Sequence, residues 1–315
     1  MRRVRTLLLL LLLLLLTGCA EEAVPAGQST ETTVPAGQST EEAVPAGQSG
    51  EEVETAPAET PDEAVAEGPS VTLPDESKDA AEWSLLDFAP DLCGASCVEE
   101  RYAVAAGTEW ENTITLRRGG ENGATVYIIG GIHGDETAGW TAANLLREVC
   151  PRAGTVYVLS PANVYGAEHD QRTTKSMRDL NRSFPGDPEG WDAERIAASI
   201  YGDIAERRPD IVLDLHETRG PQENAPERDD LRNSIIVNDV SPIGELIWAL
   251  TVDGVSGEAL TLLGSPPEGS VNRTVSEQLG IPVITLETWR TEPLSARVAR
   301  QIAFTEAVLR FYGLL

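Results

Sequence analysis

The chain has 315 residues and a formal net charge of −27, from 51 acidic against 24 basic residues, of which only Lys78 and Lys175 are lysine. That balance excludes nucleic acid and anionic membrane surfaces as partners of the chain as a whole. Hydrophobic residues make up 41% of the sequence, enough for a packed core, but they are unevenly spread.

Residues 1–19 start with Arg2, Arg3 and Arg5, continue with ten leucines from Leu7 to Leu16, and end in Thr17-Gly18-Cys19. A charged start before an apolar run too short to span a bilayer comfortably is the layout of an export signal. Leu16-Thr17-Gly18-Cys19 resembles a bacterial lipobox. The resemblance implies cleavage before Cys19, a lipid on its thiol, and a protein exported and anchored to the cell membrane or envelope.

Residues 20–82 repeat Val-Pro-Ala-Gly-Gln-Ser from Val24, Val34 and Val44 and hold sixteen acidic residues against one lysine. With almost no large apolar side chains, this segment cannot offset its ordering entropy, and it reads as a disordered acidic stalk. Residues 83–315 are long enough for one domain with a substantial core. Cys93 and Cys97, four apart in a loop-like stretch, suit a disulfide in an exported protein. Cys150 reads as a small buried residue at a helix end.

Within the globular part, apolar β-branched runs predict strands at Thr125–Ile129, Thr155–Leu159, Ile211–Leu215, Ser234–Val237 and Pro282–Leu286. Several lack polar alternation, as in a sheet covered on both faces. Periodic apolar positions predict helices at Glu136–Val149, Ala193–Arg207, Ile243–Leu250 and Leu294–Tyr312. Strands alternating with helices predict an α/β fold: a single-domain α/β/α sandwich on a mixed, mostly parallel, twisted sheet. Ligands in such folds sit beyond the carboxyl ends of strands.

His133, His216 and Glu287 are each placed just past such an end. His133 and Glu136, three apart where a strand hands over to a helix, can aim at one point, and His216 supplies a third donor. Two histidines and one glutamate, with a fourth position left for water, make a catalytic zinc set. Taken singly, His133 could be a buried loop histidine and Glu136 a helix N-terminal carboxylate. The remaining histidine, His169, sits in a polar loop. Asn181 and Arg182 offer an amide and a planar fork that grip a carboxylate. Arg172 could polarise a substrate carbonyl or simply be exposed. Glu287 could accept a proton from water and pass it to a leaving amine.

The motifs His133-Gly-Asp-Glu136, Asp179-Leu-Asn181-Arg182-x-Phe184-Pro185, Asp214-Leu-His216 and Thr285-Leu-Glu287-Thr288 together resemble the zinc carboxypeptidase superfamily. In style they are closest to its succinylglutamate desuccinylase and aspartoacylase group. The resemblance implies one zinc ion per chain on His133, Glu136 and His216, and water activated by Glu287. It implies Asn181 and Arg182 on a substrate carboxylate, and Arg172 on the oxyanion, with Arg178 as its substitute. It also implies Asp179 as the partner that orients a zinc histidine. The expected activity is hydrolysis of an amide bond next to a carboxylate, in a peptide or an N-acyl amino acid. The alternative is an inactive surface binding module on the same fold.

Overall fold

The computed structural model describes residues 71–75, 77–94, 96–218 and 233–315. The signal segment with Cys19, and most of the expected stalk, lie outside the described residues. Among the described residues no helix is long and apolar enough to cross a membrane. Eight strands form one mixed sheet: β1 Val98–Val104, β2 Asn112–Arg118, β3 Glu121–Gly130, β4 Ala153–Leu159, β5 Ile211–Thr218, β6 Ser234–Val237, β7 Thr261–Leu263 and β8 Val283–Trp289. Their order is β1-β2-β4-β3-β5-β8-β6-β7. The four central strands, β4, β3, β5 and β8, are mutually parallel, and antiparallel pairs flank them on both sides.

Helices α1 Thr137–Leu146, α2 Val164–Glu168, α3 Asp192–Arg207, α4 Gly244–Trp248, α5 Val271–Leu279 and α6 Leu294–Phe311 complete the fold. Side chains alternate across the central strands because successive Cβ atoms point to opposite faces. Val126 and Ile128 of β3, Leu213 and Leu215 of β5 and Ile284 and Leu286 of β8 pack with Leu146 of α1 and Phe304 of α6. Tyr127 and Ile129, Val212 and Val283 pack on the other face with Ile200 and Ile204 of α3 and Val271 and Val275 of α5. The sheet is therefore covered on both sides, as its apolar runs predict.

Every predicted strand and helix is present, with shifted ends. His216 and Glu287 lie inside β5 and β8, not past their ends as expected, because both strands continue by three residues. Strands β1, β2 and β7 and helices α2 and α5 were not predicted.

The fold also begins before residue 83. Val71 packs against the core, Thr72 N–H donates to Phe88 O at 2.8 Å, and Leu85, Phe88 and Leu92 are fully buried on short 3₁₀ turns. Residues 71–82 thus overlap the segment expected to be stalk.

The cysteine expectations are corrected. Cys97 pairs with Cys150, with Cα atoms 5.5 Å apart, and Cys93 is a free thiol. Cys93 ends the 3₁₀ turn Pro90–Cys93 and faces the core, while Cys97, just before β1, meets the chain returning from α1. Closing a loop across a separation of 53 residues stabilises by about 4 kcal/mol in the chain-entropy account. Cys97→Ser should lower the thermal midpoint clearly while Cys93→Ser leaves it near wild type. Equal melting curves for the two variants would show that the pairing is wrong.

Candidate active site

The site is built on the ends of β3, β5 and β8. After β3, Gly131 takes φ +74°, and a Cβ there would meet Trp140 Cβ at 2.8 Å and Pro161 Cβ at 2.9 Å. Only glycine allows this turn without strain, and it brings His133 and Glu136 back over the strand ends. Glu136 sits at the N-cap position of α1, yet its side chain makes no capping bond. Both its oxygens are spent on the cluster instead.

The parallel register pairs Asp214 with Thr285 and His216 with Glu287. All four share the α3/α5 face by strand alternation. His133, Glu136 and His216 are only 3%, 2% and 2% exposed, and a donor atom from each lies within 4.8 Å of the others. His133 Nδ1 is 2.7 Å from Glu136 Oε1, His216 Nδ1 is 2.7 Å from Glu136 Oε2, and the two Nδ1 atoms are 3.1 Å apart.

Each imidazole turns its Nε2 to a carboxylate: His133 to Asp179 Oδ1 at 3.1 Å, His216 to Asp214 Oδ2 at 2.9 Å. A proton kept on Nε2 by such a partner leaves the Nδ1 lone pair aimed inward, the usual orientation of a metal-ligating histidine. Burial opposes protonation of both rings, but Glu136 and Asp179 around His133, and Asp214 and Glu136 around His216, outweigh it and raise both above the usual histidine value. Glu136 is held well below the ordinary carboxylate range: burial opposes this, and the two imidazoles overcome it. Two inward imidazole nitrogens and a carboxylate make a donor set suited to one divalent cation, and its composition fits zinc.

Glu287 is half-buried, but its Oε2 is enclosed and has no hydrogen-bond partner. Burial pushes its carboxyl up to about 7. Asn181 places Nδ2 at 3.5 Å from His216 Nε2, and its Oδ1 accepts Val271 N–H at 3.0 Å. That second bond fixes the amide so that its NH2 group faces the cluster. Arg172 donates to Glu136 Oε1 at 3.1 Å and to Asp179 Oδ2 at 3.3 Å.

Arg178 is away from the cluster, stacked 4.9 Å from the Trp191 ring centroid. His169 stacks on Tyr165 at 4.1 Å. Arg182 is exposed; one of its amines donates to Asn181 O at 2.7 Å, and the side chain lines an open cleft of about 520 Å³ with Phe184, Glu268 and Arg273.

Residues 122–229 match the family described as "Succinylglutamate desuccinylase/Aspartoacylase catalytic domain". The match spans about a third of this chain. A curated relative, the N-alpha-acetyl-L-2,4-diaminobutyric acid deacetylase of Halomonas elongata, is 36% identical over 107 residues, 33% of this chain and 31% of that protein. The chain thus spans under a third of that relative's length.

Among solved structures, a succinylglutamate desuccinylase/aspartoacylase from Rhodobacter sphaeroides aligns at TM-score 0.52 and 22% identity, covering 70% of this chain and 66% of that one. The ectoine utilization protein EutE (DoeB) of Ruegeria pomeroyi aligns at TM-score 0.56 and 18% identity over 71% and 69%. The D,L-carboxypeptidase Csd4 of Helicobacter pylori aligns at TM-score 0.52 and 20% identity over 61% and 52%. At these identities the likeness is one of fold, and the fold is the zinc carboxypeptidase-like one.

The structure places further residues around the cluster that the sequence reading left without a role. Asp214 backs His216, and its place two residues earlier on the same strand was the available signal. Gln301 Nε2 donates to the His216 carbonyl at 2.8 Å, and Glu217 N–H donates to Glu136 Oε2 at 3.0 Å. Neither carries a local sequence signal.

The Asn181–Arg182 loop depends on Gly269, whose φ is +73° and where a Cβ would meet Arg182 O at 2.5 Å. Gly269→Ala should cost about 1–3 kcal/mol of stability through backbone strain. Denaturant titration tests this, and an unchanged midpoint would show that the turn gives way freely.

Proposed function

We propose that this chain is a zinc-dependent hydrolase that cleaves an amide bond adjacent to a carboxylate, acting on an N-acyl amino acid or a peptide. One observation carries the proposal: the inward-facing nitrogens of His133 and His216 and the carboxylate of Glu136 converge one strand away from the enclosed, unpartnered Oε2 of Glu287. The named activity of the Halomonas relative, deacetylation of an N-acetyl amino acid, supports an N-acyl amino acid as substrate. The named D,L-carboxypeptidase activity of the Helicobacter protein comes with a likeness of fold only.

Zinc held by His133, Glu136 and His216 would supply a water of lowered pKa and would polarise the scissile carbonyl. Glu287 takes the proton of the attacking water on its carboxylate and delivers it to the leaving nitrogen. A carboxyl raised towards neutral by burial is suited to both halves of that exchange. The NH2 group of Asn181 and the guanidinium of Arg182 hold the substrate carboxylate. Arg172 donates to the carbonyl oxygen as negative charge develops there, the place where fixed donors contribute most. Asp179 and Asp214 keep the two imidazoles in one tautomer throughout.

Two measurements test this reading. The purified protein should bind about one zinc per chain, and His133→Ala and His216→Ala should each lose it. Glu287→Gln should keep the metal and lose turnover by roughly 10²-fold or more. A Glu287→Gln enzyme working at the wild-type rate would sink the mechanism even with the zinc site intact.

The same proposal places the enzyme outside the cytoplasm, tethered by a lipid on Cys19, because the lipobox-like Leu16-Thr17-Gly18-Cys19 follows the leucine run. Cys19→Ala should move the protein from the membrane fraction to the soluble one. Retention in the membrane fraction would refute the anchor.

A further inference from the structure

Arg290 follows the last residue of β8, three positions after Glu287, and its side chain crosses to the turn that carries two of the three cluster donors. One guanidinium nitrogen donates to Asp135 Oδ2 at 3.2 Å. Another lies 3.9 Å from Glu136 Oε1. That second nitrogen and Nε are both enclosed, and neither has a hydrogen-bond partner. An enclosed N–H without an acceptor costs on the order of 1–3 kcal/mol, so such groups are normally satisfied. The acceptor at hand is Glu136 Oε1, which a shift of roughly 1 Å would bring into hydrogen-bond range.

That oxygen is contested. Arg172 already donates to it at 3.1 Å. The two arginines are differently held. Arg172 stands in the segment between α2 and α3, its side chain 31% exposed against 23% for Arg290. Arg290 is tied at the backbone, where its N–H donates to Thr218 O at 3.3 Å, and two of its three guanidinium nitrogens are sealed from solvent. Each histidine of the cluster has one fixed carboxylate behind it. Glu136 Oε2 faces His216 Nδ1 and the Glu217 N–H, while Oε1 faces His133 Nδ1 and two guanidinium groups.

We propose that Arg290 is the positioning residue of the carboxylate ligand: it holds Glu136 Oε1 and the Asp135 turn, so that Glu136 keeps its place and a guanidinium beside it when Arg172 leaves for a substrate oxygen. Glu136 keeps the two imidazoles and the Glu217 N–H when Arg172 leaves, and Arg290 keeps a guanidinium beside the oxygen that Arg172 vacates. With two, the sealed guanidinium stays and the open one moves. This rests on the zinc reading given above.

The test measures zinc affinity of the metal-free full-length protein by competition with a chromophoric chelator, with a thermal melt to establish folding. Arg290→Met should weaken zinc binding about 10–100-fold, the scale of losing a partner behind a ligand. Arg290→Lys, which keeps a charge near Asp135, should recover part of the loss. Asp135→Asn should weaken binding too, and combining it with Arg290→Met should add little, because the two act as one pair. Arg172→Met should keep zinc affinity close to wild type. If Arg290→Met fails to fold, Arg290→Lys and Asp135→Asn decide the matter.

Wild-type zinc affinity in folded Arg290→Met, or in both Arg290→Lys and Asp135→Asn, would overturn the proposal and leave the zinc reading standing. So would loss of zinc in Arg172→Met alone. A wild-type protein that bound no zinc would sink the metal reading itself, and this assignment with it.

Discussion

The parallel pairing of β5 with β8 sets His216 opposite Glu287 and Asp214 opposite Thr285, all on one face of the sheet. The period of side-chain direction along a strand is two, so a slip of one residue would send His216 to the α1/α6 side and bring Glu217 to the site. The register is held by burial on both faces: Leu213, Leu215, Ile284 and Leu286 on one side, Val212 and Val283 on the other. It is also held by polar bonds between the two strands. Thr285 Oγ1 donates to Asp214 Oδ2 at 3.3 Å, and Asn272 of α5 donates to Thr285 at 2.9 Å. Core packing and site geometry are therefore one constraint. A core substitution that moved β8 by a residue would abolish the site without touching any residue in it.

The second organising fact is charge. Glu136, Asp179, Asp214 and Asp135 gather behind and around two imidazoles, Glu217 is buried on the other face of β5, and an isolated buried carboxylate is very costly. The fold answers with arginines brought from distant parts of the chain: Arg172 before α3, Arg290 after β8 and Arg297 on α6, which pairs with Glu217. Glu217 also accepts Ala138 N–H at 2.9 Å, at the start of α1, so the helix that carries Glu136 is fastened from the rear by α6 and β5 together. Excess negative charge that remains at the centre of such a network favours a cation.

Much of this was legible in the sequence, and the remainder has physical reasons for being hidden. The central strands are continuous Val/Ile/Leu runs because both faces are covered. Their ends carry His133, His216 and Glu287, and so the cluster could be found. Strand β1, Val-Glu-Glu-Arg-Tyr-Ala-Val, is almost wholly exposed and has no apolar period to find. Strand β7 has three residues, two of them exposed. Helix α5 offers Val271 and Val275 to the core among Asn, Arg, Thr and Ser, too few to signal a helix. The Cys97–Cys150 pair joins segments 53 residues apart, and nothing in local spacing distinguishes it from Cys93–Cys97. Arg290 looks like a surface charge past a strand end. Only the tertiary crossing to Asp135 reveals otherwise.

The division of labour between rigid and irregular backbone follows from the same geometry. Glu287, His216 and Asp214 sit on strands whose position is set by the core. Arg172, Asp179, Asn181 and Arg182 sit between α2 and α3 on backbone with little regular structure, secured at a few points. Val271 N–H on Asn181 and Gly269 O on Phe184 N–H are two of them, and both come from the start of α5. Helix α5 packs on β8, so the Asn181–Arg182 loop is referenced to the strand that carries Glu287 even though the two are far apart in sequence. Side chains placed by the core tolerate little change. A loop referenced to that core through a few hydrogen bonds can alter its outer members, Arg182 beside its open cleft foremost, while the cluster on the strands stays in place.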